Sequence, residues 1–180
     1  GSGSFRGSTM NDIRSLCVFC GSNGGHGDAY RQEAENLGRL MAREGIRLVF
    51  GGGVVGLMGT VSQAVLDAGG EVTGVIPEHL MGLEVGRTDL ADLRVVGSMH
   101  ERKALMASLS DGFVAMPGGF GTFEEVLEVM TWSQLGLHEK PIGFLNVSGF
   151  YDPLLELFEK SVVQGFVRRA NLGLFVVEEL

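Results

Sequence analysis

One stretch of the chain decides its fold: Phe113-Val114-Ala115-Met116-Pro117-Gly118-Gly119-Phe120-Gly121-Thr122-Phe123-Glu124-Glu125. Its apolar beginning predicts a strand, and the periodic segment that follows the glycines predicts a helix. The three glycines allow backbone N–H groups to come close to a ligand, and the helix N-terminus adds unpaired donors and a partial positive charge. The stretch therefore predicts a phosphate-binding turn with carboxylates beside it.

Short apolar runs alternate with longer helical patterns along the rest of the chain. The predicted strands are 16–20, 48–50, 72–76, 93–96, 113–116 and 142–145, and the predicted helices are 29–44, 57–68, 99–109, 122–135 and 153–163. The strands are almost continuously apolar, which is typical of a parallel sheet covered on both faces. We expect an α/β, Rossmann-like doubly wound fold whose ligands bind beyond the carboxyl ends of the strands.

The composition is that of an ordinary globular domain. The chain has 180 residues, of which 44% are hydrophobic and 20% are charged, so we expect a single Rossmann-like nucleotide-binding domain over 13–180. The Gly- and Ser-rich residues before Met10 lead us to interpret 1–12 as a disordered arm or a cloning remnant. No apolar run approaches the roughly 20 residues that span a bilayer, and no signal-peptide pattern is present. We therefore expect a cytoplasmic protein without membrane partners.

The charge and the cysteines exclude several functions. A net charge of −8 argues against binding to nucleic-acid polymers, which requires a positive face. Cys17 and Cys20 have C-x-x-C spacing, but they lie in a strand-like run where residues three apart point to opposite faces. We expect two buried thiols rather than a redox pair. The four histidines are scattered, so we expect no metal site.

Two further glycine-containing turns follow predicted strands, at Gly21-Ser22 and at 51–56. The second turn satisfies G-x-G-x-x-G, and Glu78 follows it by about twenty residues, so a nicotinamide-dinucleotide site is one interpretation. The other is that the glycines meet a packing need. The chain has little room for a dehydrogenase substrate domain, and the turn at 117–122 offers a second anion site. We place a possible phosphate-binding rim at Gly21, Ser22, Gly52, Gly53 and Met99.

A second group of charged residues begins the helix predicted at 99–109. Ser98 and Glu101 have the spacing of a capping box. Arg102 and Lys103 are two cations in the first helical turn, where they oppose the helix dipole unless an anion compensates. An anionic ligand would explain them. The alternative is a solvated face on which they pair with Glu101 or Asp111.

Glu125 also has two interpretations. Thr122 and Glu125 have capping-box spacing, so Glu125 could bond back to the amide of an N-cap Thr122. Alternatively, a carboxylate over a phosphate-binding turn could stabilise positive charge on a sugar or activate water. Phe123 belongs to an apolar stripe with 126, 127 and 130, and Glu124 and Glu128 lie off that stripe, which suits solvated or rim roles.

Together these segments resemble one family. The sequence is similar to the LOG ("lonely guy") cytokinin-activating phosphoribohydrolases over roughly residues 16–166. The resemblance rests on Gly51-Gly52-Gly53 with Gly56-Leu57-Met58-Gly59, Met99-His100-Glu101-Arg102-Lys103 with Met106, Pro117-Gly118-Gly119-Phe120-Gly121-Thr122 with Glu124-Glu125, and Thr131-Trp132-Ser133-Gln134-Leu135-Gly136. It implies hydrolysis of an N6-modified adenosine 5'-monophosphate to the free base and ribose 5-phosphate, without a cofactor, in a homodimer.

The resemblance also implies which residues act. It makes Arg102 and Glu125 the catalytic pair. It implies substrate contacts at Glu84, Arg102, Lys103, Gly118, Gly119, Phe120, Gly121, Thr122, Phe123, Glu124, Glu125 and Thr131. Gly82 stands where many relatives have Pro, His100 where many have Gln, and Phe120 where many have Tyr.

Two other functions are considered beside this one. Relatives are often described as lysine decarboxylases, but a pyridoxal enzyme needs a Schiff-base lysine and a pyridinium partner. Only Lys103, Lys140 and Lys160 occur, and none has such a setting, so we reject that function. The alternative that stays open is a nucleotide-binding carrier or sensor of the same fold that binds AMP-like ligands without hydrolysis.

Overall fold

The computed structural model describes residues 12–82 and 86–179. Seven strands and five α-helices follow one another along these residues. The strands are β1 (Ser15–Phe19), β2 (Arg47–Phe50), β3 (Val72–Pro77), β4 (Leu93–Val96), β5 (Gly112–Ala115), β6 (Ile142–Leu145) and β7 (Phe175–Glu178). The helices are α1 (Ala29–Arg43), α2 (Gly56–Asp67), α3 (Met99–Leu109), α4 (Phe120–Gln134) and α5 (Asp152–Val163).

The strands form one parallel sheet in the order β4-β3-β2-β1-β5-β6-β7. From β1 the chain runs outward through β2 and β3 to β4 at one edge, and it then crosses to β5 on the other side of β1. Leu16 of β1 is in register with Leu48 of β2 and with Gly112 of β5. The doubly wound α/β fold expected from the sequence is confirmed. Its topological switch point lies between β1 and β5, where ligands of such folds bind.

Two apolar clusters cover the two faces of the sheet. The first contains Leu37 of α1 and Val61 of α2, and the second contains Met106 of α3 and Val126 of α4. Cys20 belongs to the first cluster and Cys17 to the second, and both side chains are buried and form no disulfide. The expectation that these cysteines point to opposite faces is therefore confirmed.

The element bounds agree with the sequence pattern to within two residues, with one strand missed. We predicted no strand after 163, but β7 pairs with β6 at the edge of the sheet. It is four residues long and half of it is exposed, although its first three residues are apolar like those of the other strands. Helix α4 begins at Phe120 rather than at 122. None of the helices among residues 12–82 and 86–179 is long and apolar enough to cross a membrane.

Candidate active site

A cavity of about 590 Å³ lies at the carboxyl ends of β1 and β5. It is lined by residues 20–26, Tyr30, Leu57, Met58, Arg102, residues 117–122, Glu125 and Phe150. Its volume falls within the range of roughly 300–1,000 Å³ that is typical of small-molecule sites. The predicted phosphate-binding turn therefore lines a cavity at the switch point of the sheet.

The turn at 117–122 places the N-terminus of α4 against this cavity. Gly119 is the N-cap and has no side chain to cap the helix. The amides of the first turn have no partner within the helix, and the helix dipole adds partial positive charge at the same point. The Gly21 amide donates to the Pro117 carbonyl at 3.1 Å, which ties the turn to the end of β1.

The glycines of this turn differ in their surroundings. A Cβ atom added to Gly118 would lie 2.1 Å from Thr122 Oγ1, whereas one added to Gly119 or Gly121 would meet nothing within 4 Å. None of the three has a positive φ. Neither packing nor backbone conformation requires glycine at 119 and 121. The open space beside these two glycines belongs to the cavity.

Arg102 reaches the cavity from α3 and is only 4% exposed. Its Nε donates to the Val75 carbonyl at 3.0 Å, and its Nη2 donates to the Gly51 carbonyl at 2.6 Å. Met99 approaches the same guanidinium through its sulfur, 4.0 Å from Nη1. Because β3 and the end of β2 fix two of its donors, the guanidinium is held in one orientation. The alternative of a solvated face is wrong for Arg102.

Glu125 lines the cavity from the second turn of α4. Because α4 begins at Phe120, Thr122 lies inside its first turn and is not the N-cap, so the capping-box interpretation of Thr122 and Glu125 is wrong. Arg102 and Glu125 both line the cavity, and the charges of both act on the buried thiol of Cys17. The pKa of the Cys17 thiol is raised well above its ordinary value, first by burial and then by the Glu125 charge, while Arg102 acts in the opposite direction.

Lys103 points away from the cavity and into a pair of carboxylates. It is 8% exposed, and its Nζ donates to Glu124 Oε1 at 2.5 Å and to a carboxylate oxygen of Glu128. Burial lowers the pKa of Lys103, but the hydrogen bonds and charges of the two glutamates outweigh burial and raise it above its ordinary value. The predicted alternative of a solvated face paired with Glu101 or Asp111 is wrong for Lys103 as well. Its partners instead join α3 to α4.

The predicted Ser98–Glu101 cap does form. The Ser98 hydroxyl accepts from the Glu101 amide at 3.2 Å, and the Glu101 carboxylate accepts from the Gly97 amide at 2.8 Å. Glu101 therefore closes the N-terminus of α3. Arg102, the next residue, is left facing the cavity.

The structure brings many of the predicted site residues together. Nine of them line the cavity, namely Arg102, Gly118, Gly119, Phe120, Gly121, Thr122, Glu125, Gly21 and Ser22. Seven others do not line it, namely Lys103, Phe123, Glu124, Thr131, Gly52, Gly53 and Met99. The Thr131 hydroxyl donates to the Leu127 carbonyl within α4, and Phe123 packs in the second core cluster. Glu84 lies outside the described residues.

Several lining residues were missed by the sequence analysis. They are Cys20, residues 23–26, Tyr30, Leu57, Met58 and Phe150. Tyr30 and Phe150 form an edge-to-face pair with ring centroids 6.2 Å apart. Residues 23–26 and Phe150 follow the carboxyl ends of β1 and β6, so the general rule for ligand sites in such sheets could have found them.

The turn at 51–56 is explained by packing. A Cβ atom on Gly51 would lie 2.1 Å from Arg102 Nη2, and one on Gly56 would lie 2.3 Å from the Ser22 carbonyl carbon. The Gly52 carbonyl accepts from the Arg87 amide, and Gly53 forms a β-bridge with Gly86. Glu78 is exposed in a short 3-10 helix after β3 and does not line the cavity. The geometry favours the packing interpretation of this G-x-G-x-x-G match over the dinucleotide one.

Comparison with known proteins gives the same family from two directions. The family model described as "possible lysine decarboxylase" matches residues 58–179. The probable cytokinin riboside 5'-monophosphate phosphoribohydrolase LOGL1 of Oryza sativa subsp. japonica is 54% identical over 153 residues, which are 85% of this chain and 69% of that protein. The phosphoribohydrolase LOG3 of Arabidopsis thaliana is 51% identical over 86% of this chain and 72% of its own length. This chain belongs to the LOG family.

Solved structures agree with this fold at lower similarity. A molybdenum cofactor binding protein from Rippkaea orientalis is 24% identical and covers 94% of this LOG-family chain and 90% of its own, with a TM-score of 0.68. The molybdenum cofactor carrier protein of Chlamydomonas reinhardtii is also 24% identical, covers 91% and 88% and has a TM-score of 0.66. At this identity the likeness concerns the fold alone.

The lysines of this LOG-family chain do not suit the decarboxylase chemistry in the family description. A Schiff-base lysine must lose its proton to attack a carbonyl, but the raised pKa of Lys103 keeps its amine charged. Lys140 Nζ donates to the Ala107 carbonyl, and Lys160 is exposed on α5. Among the described residues, no group of three or more His, Cys, Asp or Glu side chains could hold a metal ion.

Proposed function

We propose that this chain hydrolyses the N-glycosidic bond of an N6-modified adenosine 5'-monophosphate and releases the free base and ribose 5-phosphate. One observation carries the proposal: Glu125, the buried Arg102 and the open N-terminus of α4 line the same cavity. Hydrolysis of the glycosidic bond of a nucleoside monophosphate needs an anion site for the phosphate and a carboxylate beside the sugar. Relatives named cytokinin riboside 5'-monophosphate phosphoribohydrolases are 54% and 51% identical to this chain over the residues that align.

The 5'-phosphate would bind at the N-terminus of α4. The first-turn amides supply donors there, and Gly119 and Gly121 leave room for phosphate oxygens to approach the backbone. Arg102 adds a permanent positive charge whose orientation is fixed by its bonds to Val75 and Gly51. These groups can hold a dianionic phosphate without a cofactor, although the net charge of the protein is negative.

Glu125 would act on the ribose. As the bond between the anomeric carbon and the base nitrogen lengthens, positive charge develops on the sugar, and a fixed carboxylate stabilises that charge. Water then supplies a hydroxyl group to the anomeric carbon, and a proton from that exchange ends on the departing base. Glu125 is placed to direct the water or to form a transient bond to the sugar, since both roles require a carboxylate.

The apolar part of the cavity would receive the base. The apolar and aromatic residues of its lining include Tyr30, Leu57, Met58 and Phe150. Aromatic and aliphatic side chains suit a planar purine with an apolar N6 substituent better than they suit a sugar phosphate. The presence of both charged and apolar groups in one cavity supports a substrate that has an anionic group and an apolar base.

We also propose a homodimer located in the cytoplasm. Large apolar side chains are exposed at the ends of α4 and α5, including Leu135, Leu137, Val163 and Phe166, and Phe166 is 86% exposed. Such exposed apolar groups favour association. Light scattering on the purified protein should give twice the chain mass. Trp132 and Met130 are weaker candidates for this surface, because both pack against the second core cluster. Two cysteines that form no disulfide suit a reducing compartment.

The decisive test of the activity replaces Glu125 with Gln. This change keeps the size of the side chain and removes its charge, so we expect turnover to fall by about 1,000-fold while the substrate still binds. Release of ribose 5-phosphate should be measured from AMP and from isopentenyladenosine monophosphate. Glu156→Gln makes the same change on the exposed surface of α5 and should leave the rate unchanged.

The same assay distinguishes an enzyme from a carrier. Base and ribose 5-phosphate that accumulate over many turnovers would exclude a protein that only binds AMP-like ligands. Tight binding of AMP by the wild type with no product would favour the carrier. Near-normal turnover by Glu125→Gln would remove Glu125 from the catalytic role.

A further inference from the structure

Tyr151 is a buried residue next to the site that the proposed reaction does not use. It is 1% exposed, and its hydroxyl donates to the Met116 carbonyl at 2.5 Å. Burial, with a smaller contribution from Cys20, raises the pKa of the phenol above its ordinary value. The hydroxyl therefore keeps its proton and remains a donor. Met116 immediately precedes Pro117, where the phosphate-binding turn begins.

The Tyr151 ring also contacts the other end of that turn. It lies edge-to-face with Phe123, in the first part of α4, at a centroid distance of 6.4 Å. It makes a second edge-to-face contact, at 5.0 Å, with Phe150, which lines the cavity. One side chain thus holds the segment 116–123 by a hydrogen bond at its beginning and by ring packing at its end.

The backbone of Tyr151 is itself fixed by an unusual loop after β6. The Tyr151 amide donates to Asn146 Oδ1 at 2.7 Å, and Asn146 Nδ2 donates to Asp152 Oδ1 at 2.8 Å. Within this loop Ser148 has a φ of 53°, the one positive φ at a non-glycine residue in the part of the chain that the structure describes. Strain of this kind persists where surrounding contacts over-determine the backbone. The loop is therefore a rigid support for Tyr151.

We propose that Tyr151 is a positioning residue that holds the segment 116–123 in the geometry required to bind the phosphate group of the substrate. The inference rests on the proposed function for the identity of the ligand. Tyr151 does not line the cavity, yet it should affect the binding of one part of the ligand, the phosphate group. Binding of the phosphate-bearing part depends on the Tyr151 hydroxyl, and binding of the base does not.

The test uses the two products separately, because neither is consumed during a binding measurement. Tyr151→Phe removes only the hydroxyl and leaves the ring packing in place. The Met116 carbonyl then loses its buried donor, and we expect affinity for ribose 5-phosphate to fall by about 10-fold. The affinity for adenine should change less than twofold. Titration calorimetry with each product measures both effects without relying on turnover.

Phe144→Leu provides the matched control. Phe144 is buried in β6, and its ring lies 4.9 Å from that of Tyr151, but it does not line the cavity. This change should lower the melting temperature and leave the ratio of the two affinities unchanged. If Tyr151→Phe weakens both products equally, or weakens neither, the positioning role is overturned. A wild type that binds ribose 5-phosphate but hydrolyses neither AMP nor isopentenyladenosine monophosphate would refute the proposed function and still allow this test.

Discussion

The turns at 51–56 and at 117–122 have similar sequences and opposite surroundings. Each follows a buried strand, is rich in glycine and begins a helix at the same edge of the sheet. In the first turn, Cβ atoms on Gly51 and Gly56 would collide with Arg102 and with the backbone of Ser22. In the second, Cβ atoms on Gly119 and Gly121 would meet nothing. The first turn is filled by protein, whereas the second is open at every glycine except Gly118, which lies against Thr122.

This difference shows how a glycine motif should be judged. A glycine that touches its own protein is explained by packing, whereas a glycine with ordinary φ and open space beside it requires another explanation, such as the approach of a ligand. The turn at 51–56 also helps to position a residue that lines the cavity beside the turn at 117–122. Gly51 allows Arg102 to lie against the end of β2, and the carbonyl of Gly51 orients its guanidinium.

The largest effect on stability is expected in the filled turn. Gly56→Ala places a methyl group at a φ of 58° and within 2.3 Å of the Ser22 backbone, so we expect a loss on the order of 4 kcal/mol in the free energy of unfolding. Denaturant unfolding measures it. Gly69→Ala has a φ of 79° and no atom within 4 Å, so it isolates the conformational cost of about 1–2 kcal/mol. Equal losses in the two variants would show that the turn is not tightly packed.

The secondary structure was largely readable from the sequence because the buried strands are short and uniformly apolar. Strand β6 and helix α3 have the predicted bounds, 142–145 and 99–109. The start of α4 was placed two residues late because Thr122 has the chemistry of an N-cap. Glycine at 119 ends the turn instead, and no side-chain pattern marks that boundary. Strand β7 was missed although 175–177 are apolar, because a run this short that no predicted helix follows does not identify a strand by itself.

The site was only partly readable. The sequence placed two cations in the first turn of α3, but it could not show which of them faces the cavity. Adjacent helical residues point in directions about 100° apart, so the two side chains meet different surroundings. Arg102 faces the cavity, and Lys103 faces the carboxylates of α4. Tyr151 was not predicted, because its contact with Met116 joins residues 35 positions apart. Contacts of this kind depend on how β5 and β6 lie side by side.

The support of the open turn can be tested at Lys103. Lys103→Gln leaves Glu124 and Glu128 facing each other without a cation, so we expect a loss of about 2 kcal/mol in the free energy of unfolding at pH 7. Because pairing raises the pKa of Lys103, its contribution is complete below the ordinary value of 10.5 and is lost as the pH rises through the higher folded value. The difference between the variants should therefore be constant from pH 7 to about 10 and shrink above that range.

Lys160→Gln is the control for this measurement, since Lys160 is exposed on α5. It should change the free energy of unfolding by less than about 0.5 kcal/mol at every pH. A Lys103→Gln variant as stable as Lys160→Gln would mean that the pairing with Glu124 and Glu128 contributes nothing to the support of α4.

The smallest change in stability, and the one with the opposite sign, is expected in the open turn. Gly121 lies in the first turn of α4 with ordinary φ and free space around it, so Gly121→Ala should stabilise the fold by about 0.5 kcal/mol. The added methyl group enters the cavity, and we expect the KM for the nucleoside monophosphate to rise on the order of 10-fold. Gly173→Ala, also without a neighbour within 4 Å but remote from the cavity, should leave KM unchanged. Because Gly121→Ala should be more stable than the wild type, unfolding cannot explain a loss of affinity in this variant. An increase in KM in Gly121→Ala but not in Gly173→Ala would show that the ligand occupies the open space beside Gly121. An unchanged KM would refute this.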